Sequence, residues 1–397
     1  MVQPPPTILF MGRLFERDLG GLRGMAESLL RAAAPLCERQ NRTIEVLVPR
    51  KGLCPVRSRA IVEVHLPLWR SIHLTWDHWT VPMYARWRKK SVLFNMKQIV
   101  PWFCRTPAFP LLYDMTLFPQ RQKYPWREYR LADTLYMGLA VRRAVRRAPL
   151  SMAVSEAVAR DARELFSEVD PGRFRVIHPG IELADWAPHE WTARDREAWE
   201  QLHHRGLHRP YVFYSGTLGR RKNVAVLAKA FARFNQVHPN HQLVLTGGAG
   251  NPPRDKRLAD AIVGIEPRSF LRLGKVDQRT LRLLYQKASF LVYPSLHEGF
   301  ALPPLEAQAA DCPVICSNAS SLAETMGESA MLFDPNSPRE LLECMERMAE
   351  AEVRRDYVGR GRRNVERFSW DDTARAWLEL ADEVYAAGLV LNAPNHP

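Results

Sequence analysis

The chain has 397 residues, 46% hydrophobic and 25% charged, with a formal net charge of +13. That length exceeds what a single core fills, so two domains are expected, and the composition excludes a disordered chain. The positive excess asks for a polyanionic neighbour: nucleic acid, an anionic membrane face or a phosphorylated small molecule.

Without zinc-finger spacing, an RNP-type aromatic motif or a heptad zipper, nucleic acid has the least support. No stretch reaches the roughly 18 uncharged apolar residues of a spanning helix. The opening MVQPPPTILFMGRLF lacks the charged region, long apolar core and cleavage site of a signal peptide, so a cytoplasmic protein is expected. Six cysteines are scattered along the chain, and the one close pair, Cys312 and Cys316, is spaced unlike a zinc or redox motif. Reduced thiols are expected. No D-x-D triplet occurs, so the usual sequence trace of a metal-held diphosphate is missing.

In chain order, TILFMG reads as a strand, DLGGLRG (Asp18 to Gly24) as a Gly-rich turn, MAESLLRAAAPL as a helix and TIEVLVP as a second strand. Farther on, APLSMAVS and FRVIHPG are strand-like, with a helix between them. The polar, Trp- and His-rich residues 184–208 show no clear strand and join the two halves. From about residue 210 the alternation is regular. YVFYSG, QLVLTGG, SFLRLG, SFLVYPS, PVICS and AMLFDP read as strands, with helices or loops between them. Asn223 is the expected N-cap of the helix that follows the first of these. This tempo implies parallel sheets covered by helices on both faces, which bind ligands at the carboxyl ends of their strands. The expected domains are residues 1–195 and 196–370, with a final helix over 371–397.

Three turns carry candidate chemistry. In HEGFALPPLEAQAADCPV, residues 297–314, Glu298 and Glu306 flank a turn that opens a helix, and Pro303 and Pro304 suit its first turn. A helix mouth favours phosphate, Gly299 admits close backbone approach, and a carboxylate accepts hydrogen bonds from a sugar diol. The pattern therefore fits a nucleotide-sugar grip as well as it fits a solvated helix start whose acids complement the dipole. In SGTLGRRKN, Ser215 to Asn223, Arg220, Arg221 and Lys222 either flank a bound phosphate or form a surface basic cluster. The turn DLGGLRG is either a ligand approach or a structural turn. No G-x-G-x-x-G lies between a strand and a helix, which disfavours a dinucleotide enzyme. The basic, aromatic run TVPMYARWRKKSVLFNMKQIVPWF, residues 80–103, fits an anionic membrane contact or an interior helix and strand with a solvated edge. VRRAVRRAP, ending at Pro149, reads as a solvated helix face.

The stretch EGFALPPLEA resembles the signature of family 4 glycosyltransferases, retaining enzymes of GT-B architecture, usually written E-G-F-G-L-P-x-x-E-A. GKVDQRTLRLLYQKASFLVYPSLHEGF, SNASSLAETMGESAMLFDP, RFSWDDTARAW, VSEAVARD and RVIHPGIEL are similar to family stretches in the same order. VLFNMKQIVPWF, LLYDMTLFP and VSEAVARD resemble the bacterial mannosyltransferase-type branch.

The resemblance implies two Rossmann-like domains facing across a cleft, with a C-terminal helix returning to the first. It implies that Glu306 holds the donor's ribose and Glu298 the donor sugar, while Arg221 and Lys222 neutralise the diphosphate. Gly299, Phe300, Ala301 and Leu302 complete the phosphate cradle, beside Gly216 and Thr217. Lys275 and Val276 fall where the family packs the base, and Gly20, Gly21 and Asp114 fall on the acceptor side. It implies a nucleotide-sugar donor, GDP-mannose first, a saccharide or lipid-linked acceptor, no cofactor and no essential metal. The expected location is the cytoplasm, with contact at the inner face of the cytoplasmic membrane as the alternative that the basic run at residues 80–103 leaves open.

Three departures stand out. Ala301 replaces the third glycine of the signature, which requires its φ to stay negative. Thr217 stands where many members carry arginine. Tyr113–Asp114 stands where related members read His-Asp, so the family histidine near the reacting sugar is missing or moved. A non-catalytic scaffold of the same fold and a sugar phosphorylase are the rival readings.

Overall fold

The computed structural model describes residues 4–16, 21–67, 73–118, 131–208, 210–248 and 255–391. The chain divides into two compact units, Met1–Gly180 with Ser369–Pro397, and Ile181–Phe368.

The first unit holds seven strands: β1 (Thr7–Met11), β2 (Ile44–Val48), β3 (Ile61–His65), β4 (Ser91–Asn95), β5 (Ala108–Leu112), β6 (Ser151–Ala153) and β7 (Phe174–Val176). They pair in parallel in the order β3-β2-β1-β4-β5-β6-β7. The second unit holds β8 (Tyr211–Ser215), β9 (Gln242–Thr246), β10 (Phe270–Gly274), β11 (Phe290–Tyr293), β12 (Val314–Ser317) and β13 (Met331–Phe333). Its parallel order is β10-β9-β8-β11-β12-β13. Both are doubly wound sheets whose strand order reverses beside the first strand, between β1 and β4 and between β8 and β11. Ligand crevices of such sheets open at the carboxyl ends of those strand pairs. The central strands are covered by helices on both faces, so β2, β4, β8 and β9 are buried along their whole length.

Strands β3 and β5 fall in stretches to which the sequence assigns none, whereas β4 is the interior strand that is one of the two readings of residues 80–103. IVEVH alternates and leaves its polar side half-exposed. SVLFN directly follows the basic run Arg88-Lys89-Lys90. AFPLL carries Pro110, a residue that argues against an interior strand.

The expected boundary at residues 195–196 lies inside a packed helix, Ala193–His204. Thr192 caps that helix through a capping box with Asp195, and buried Asp195 accepts from Arg282 at 2.9 Å within the second unit. The Trp- and His-rich stretch is therefore helical, and the division falls at Gly180–Ile181. Asn223 does precede its helix, but with φ 52° and no side-chain cap; its Nδ2 donates to the Pro335 carbonyl at 2.8 Å.

The last helix, Trp370–Leu391, returns to the first unit. Its fully buried Trp377 lies edge-on to Phe94, centroids 5.2 Å apart, and to Phe10 at 6.3 Å. Arg42, from the loop before β2, donates to Asp382 at 2.6 and 2.7 Å and to the Leu378 carbonyl at 3.2 Å.

At the carboxyl ends of β8, β9 and β10 stand Gly216, Gly247 and Gly274, with φ of 146°, 115° and 72°. Gly216 N donates to the Thr246 carbonyl at 3.2 Å and Gly247 N to the Gly274 carbonyl at 2.8 Å, knitting three loops into one floor. A Cβ on Gly247 would lie 1.9 Å from the Gly216 carbonyl oxygen. Gly247→Ala is expected to cost about 3 kcal/mol or more. Gly21→Ala, whose Cβ would meet nothing within 4 Å, should be neutral; thermal unfolding of the two variants checks the contrast.

Candidate active site

The loops that follow β8 and β11 meet at the crevice of the second sheet. Leu296 N donates to the Arg221 carbonyl at 2.8 Å, joining the two loops. Arg221 Nη1 returns a bond to the His297 carbonyl at 2.7 Å. Between the loops lies the buried carboxylate of Glu298. It accepts from Lys222 Nζ at 2.6 Å, from Arg221 Nη1 at 3.3 Å and from the Ser295 hydroxyl. Burial alone would raise the carboxyl of Glu298, but Lys222 and Arg221 hold it down at about 2, so it stays ionised. The pair of cations and one anion carries a net charge of +1.

Lys222 also donates to the Tyr293 hydroxyl at 2.8 Å, from the last residue of β11. Tyr293 stacks on Tyr214, centroids 6.2 Å apart, and the Tyr214 hydroxyl donates to the Thr217 carbonyl at 2.7 Å. The lysine is thus fixed by a carboxylate and a phenol that are themselves anchored to the sheet.

The Glu298 loop is pinned from the far side as well. Ser320 and Ser321 hydroxyls donate to the Glu298 carbonyl at 2.7 and 2.9 Å, and Thr325 Oγ1 to the Phe300 carbonyl at 3.0 Å. The Phe300 ring packs edge-on against Phe368 at 5.4 Å. Ser320 takes φ 55°, ψ −129°, and Ala301 takes φ 75°, ψ 57°. The expectation that Ala301 keeps a negative φ is therefore overturned: the alanine occupies the left-handed conformation for which a glycine is suited. Two strained non-glycine residues beside one buried acid are of the kind found at binding sites.

Helix Leu302–Ala309 opens after this loop. Two of the four amides at its mouth belong to Pro303 and Pro304 and carry no N–H. Cations, more than helix amides, make this crevice attractive to an anion. Glu306 lies in the second turn, not the first; half-buried, it accepts from the Tyr285 hydroxyl at 3.2 Å. Burial pushes its carboxyl up to about 7, against the pull of that hydroxyl. The two glutamates therefore differ sharply: Glu298 is permanently charged and Glu306 titrates near neutrality.

Gly216 and Thr217 sit at the carboxyl end of β8, and Thr217 is exposed. Lys275 and Val276 follow the edge strand β10, two strands from β8; Lys275 is exposed and Val276 half-buried. In the first unit Asp114 makes a local turn, accepting from Thr116 N at 2.6 Å. Gly21 begins helix Gly21–Arg39, and Gly20 lies outside the described residues.

Arg13, Asp77, Lys97 and Tyr136, none singled out in the sequence, gather with Tyr113 in the first unit's own crevice, a cavity of about 390 Å³. Asp77 is buried and bidentate to Arg13, with Nε at 2.8 Å. Next to it, His78 Nδ1 accepts from Trp102 N at 3.0 Å, so its Nε2 carries the proton and donates to the Tyr136 hydroxyl at 2.7 Å. Burial lowers the His78 pKa and keeps the ring neutral. Asp77 and His78 lie in one wide π turn, Trp76–Thr80, an irregularity common at functional sites that no sequence periodicity reveals.

Residues 195–365 match the family Glycosyl transferases group 1. The O-antigen chain mannosyltransferase B of Escherichia coli is 32% identical over 165 residues, 41% of this chain and 43% of that protein. An alpha-maltose-1-phosphate synthase of Mycolicibacterium smegmatis is 30% identical over 281 residues, covering 66% of this chain and 70% of that one. The crystal structure of Anabaena HepE in complex with UDP-glucose superposes with a TM-score of 0.70 at 18% identity, over 95% of this chain and all of that one. Two doubly wound units with this superposition define the GT-B fold of glycosyltransferases. The chain belongs to the group 1 glycosyltransferase family.

Two outcomes test the geometry. Ala301→Gly should raise stability by about 1 kcal/mol, the relief of left-handed strain less the extra freedom of an unfolded glycine. Lys222→Ala should lower it by about 3 kcal/mol, because Glu298 stays buried with one partner fewer. Denaturant titrations measure both.

Proposed function

We propose that the protein is a metal-independent, retaining hexosyltransferase that uses a nucleotide diphosphate sugar. Lys222 and Arg221 neutralise the diphosphate as it departs, and Glu298 fixes those cations and meets the donor sugar. Glu306 accepts from the ribose hydroxyls, and the glycine floor from Gly216 to Gly274 leads to Lys275 and Val276 beside the base. The bond from the anomeric carbon to the diphosphate oxygen breaks while the acceptor oxygen bonds on the same face, and the acceptor's proton passes to the leaving diphosphate. Catalysis on this reading is positioning and electrostatic stabilisation. The observation that carries it is a buried carboxylate gripping two cations at the switch point of the sheet. The lack of a D-x-D triplet favours neutralisation by side chains over a metal.

Mannose from GDP-mannose is the first donor, a reading supported by the mannosyltransferase of Escherichia coli and by a mycobacterial MMP alpha-(1->4)-mannosyltransferase, 28% identical over 250 residues. A UDP-hexose is the second, favoured by the UDP-glucose bound to Anabaena HepE. The acceptor is a saccharide or a lipid-linked saccharide of bacterial surface polysaccharide or glycolipid synthesis.

A thermal-shift screen should show stabilisation by GDP-mannose in proportion to its affinity, with UDP sugars weaker. Stabilisation by UDP sugars alone moves the donor to the second reading, and by neither class overturns the proposal. Transfer should survive EDTA, and the product anomer seen by NMR should match the donor's.

The titration of Glu306 adds a signed prediction. Its carboxyl is raised from 4.5 to about 7, so the free protein is favoured below pH 4.5 and loses that contribution as pH rises through about 7. A ribose diol needs the ionised form, so donor affinity should climb as pH rises through 7 and then level off. Glu306→Gln should weaken binding and flatten the pH profile; calorimetry over pH 5.5 to 8.5, roughly 1.5 units either side of neutrality, reads both.

A further inference from the structure

Eight of the thirteen exposed large apolar side chains among the described residues fall between Leu74 and Leu139, in the first unit. They follow helical spacing. Trp79, Met83 and Trp87, four residues apart, are 55%, 64% and 85% exposed. On helix Leu131–Arg147, Leu135 and Leu139 are 61% and 64% exposed, and Arg143 and Arg147 continue the same spacing. The opposite sides of these segments are core: Trp76, Val81, Ala85, Ala144 and Ala148 belong to one buried cluster with Val100 and Cys104. The outward side chains are thus a second face of well-packed elements.

The loop between β4 and β5 completes the surface. Phe103 is 52% exposed and its ring lies 4.3 Å from that of Trp79. Arg143 donates to the Trp102 carbonyl at 3.2 Å and Arg147 to that of Cys104 at 2.9 Å, tying the helix to the loop. Between them runs a groove of about 480 Å³ that contains Arg86, Arg105, Arg143 and Arg147 and, among the described residues, no carboxylate.

Charge complementarity selects the occupant. Apposing two copies would bring eight arginines together without an acid, and nucleic acid, whose bases the exposed tryptophans and Phe103 could stack, would leave the exposed leucines and methionine uncovered. A surface of anionic headgroups over hydrocarbon matches both parts: guanidinium forks suit phosphate, and tryptophans suit the polar–apolar boundary. We propose that this face of the first unit docks on an anionic lipid bilayer, with the aromatic and leucine side chains entering the interface and the four arginines on lipid phosphates. Arg143 and Arg147, read from sequence as a solvated face, become phosphate contacts. The docking stands independently of the donor reading. Where that reading also holds, an acceptor anchored in lipid arrives beside the Asp77 and Tyr136 cavity, which is built by the same two segments.

Flotation with vesicles of mixed phosphatidylcholine and phosphatidylglycerol, against phosphatidylcholine alone, tests it. The protein should partition onto the mixed vesicles at least about tenfold better and lose most of that in high salt. Arg143→Ala and Arg105→Ala should each cost about fivefold. Trp79→Ser with Phe103→Ser should cost about tenfold or more at any salt. These positions are exposed, and unchanged melting temperatures check that the variants fold. Binding equal on the two vesicle types, or unchanged in the variants, overturns the proposal. So does a dimer in sedimentation velocity that the same variants dissolve, since the face would then belong to a second copy. Thermal shift with nucleotide sugars, run without vesicles, is unaffected by these variants and keeps a failure here separate from a failure of the donor reading.

Discussion

The second unit is organised around a buried charge that cannot be left alone. An ionised carboxylate inside a sheet's crevice costs several kcal/mol unless it is matched, and Glu298 is matched by Lys222, Arg221 and a serine hydroxyl. The two cations come from a different loop, so the charge match also closes the two loops that bound the crevice. The arrangement has a chemical corollary. The cations are held where a bound anion would compete with Glu298 for them, and one positive charge remains unmatched within the trio.

Much of this was legible in the sequence because it is written in local patterns. Apolar runs ending in glycine, followed by Arg-Arg-Lys and Glu-Gly-Phe, give strand, turn and helix mouth without reference to anything distant. What lay out of reach was conformational or long-range. A left-handed Ala301 is invisible when alanine's own preference is the only guide, and only the sheet shows that the turn demands it. Two prolines signal a helix start, yet also remove donors from it. The serines that hold the Glu298 carbonyl lie more than twenty residues away, in a stretch with no polar periodicity. In the first unit, a proline inside β5 masks a strand that burial on both faces makes unmistakable, while the arginine-lysine run ahead of β4 leaves its stretch open to two readings.

The arginine-rich aromatic face shows the same limit in another form. No single segment there has a sustained apolar stripe, so hydropathy along the chain gives a weak signal. The stripe exists only when helix 81–87, the loop after β4 and helix 131–147 are folded against a common core. Its outward side chains are then left over by geometry, not by a failure of packing.

The return of the last helix has a consequence for how the polypeptide is made. Trp377 fills the space beside Phe10 and Phe94, yet it is translated after the whole of the second unit. During vectorial synthesis the earlier unit has all seven of its strands first, yet its sheet waits with an open aromatic hollow until residues 369–391 leave the ribosome, after the later unit is complete. Expression of the amino-terminal unit as a contiguous fragment would strand that hollow permanently, whereas a fragment spanning Ile181–Phe368 carries all of its own core.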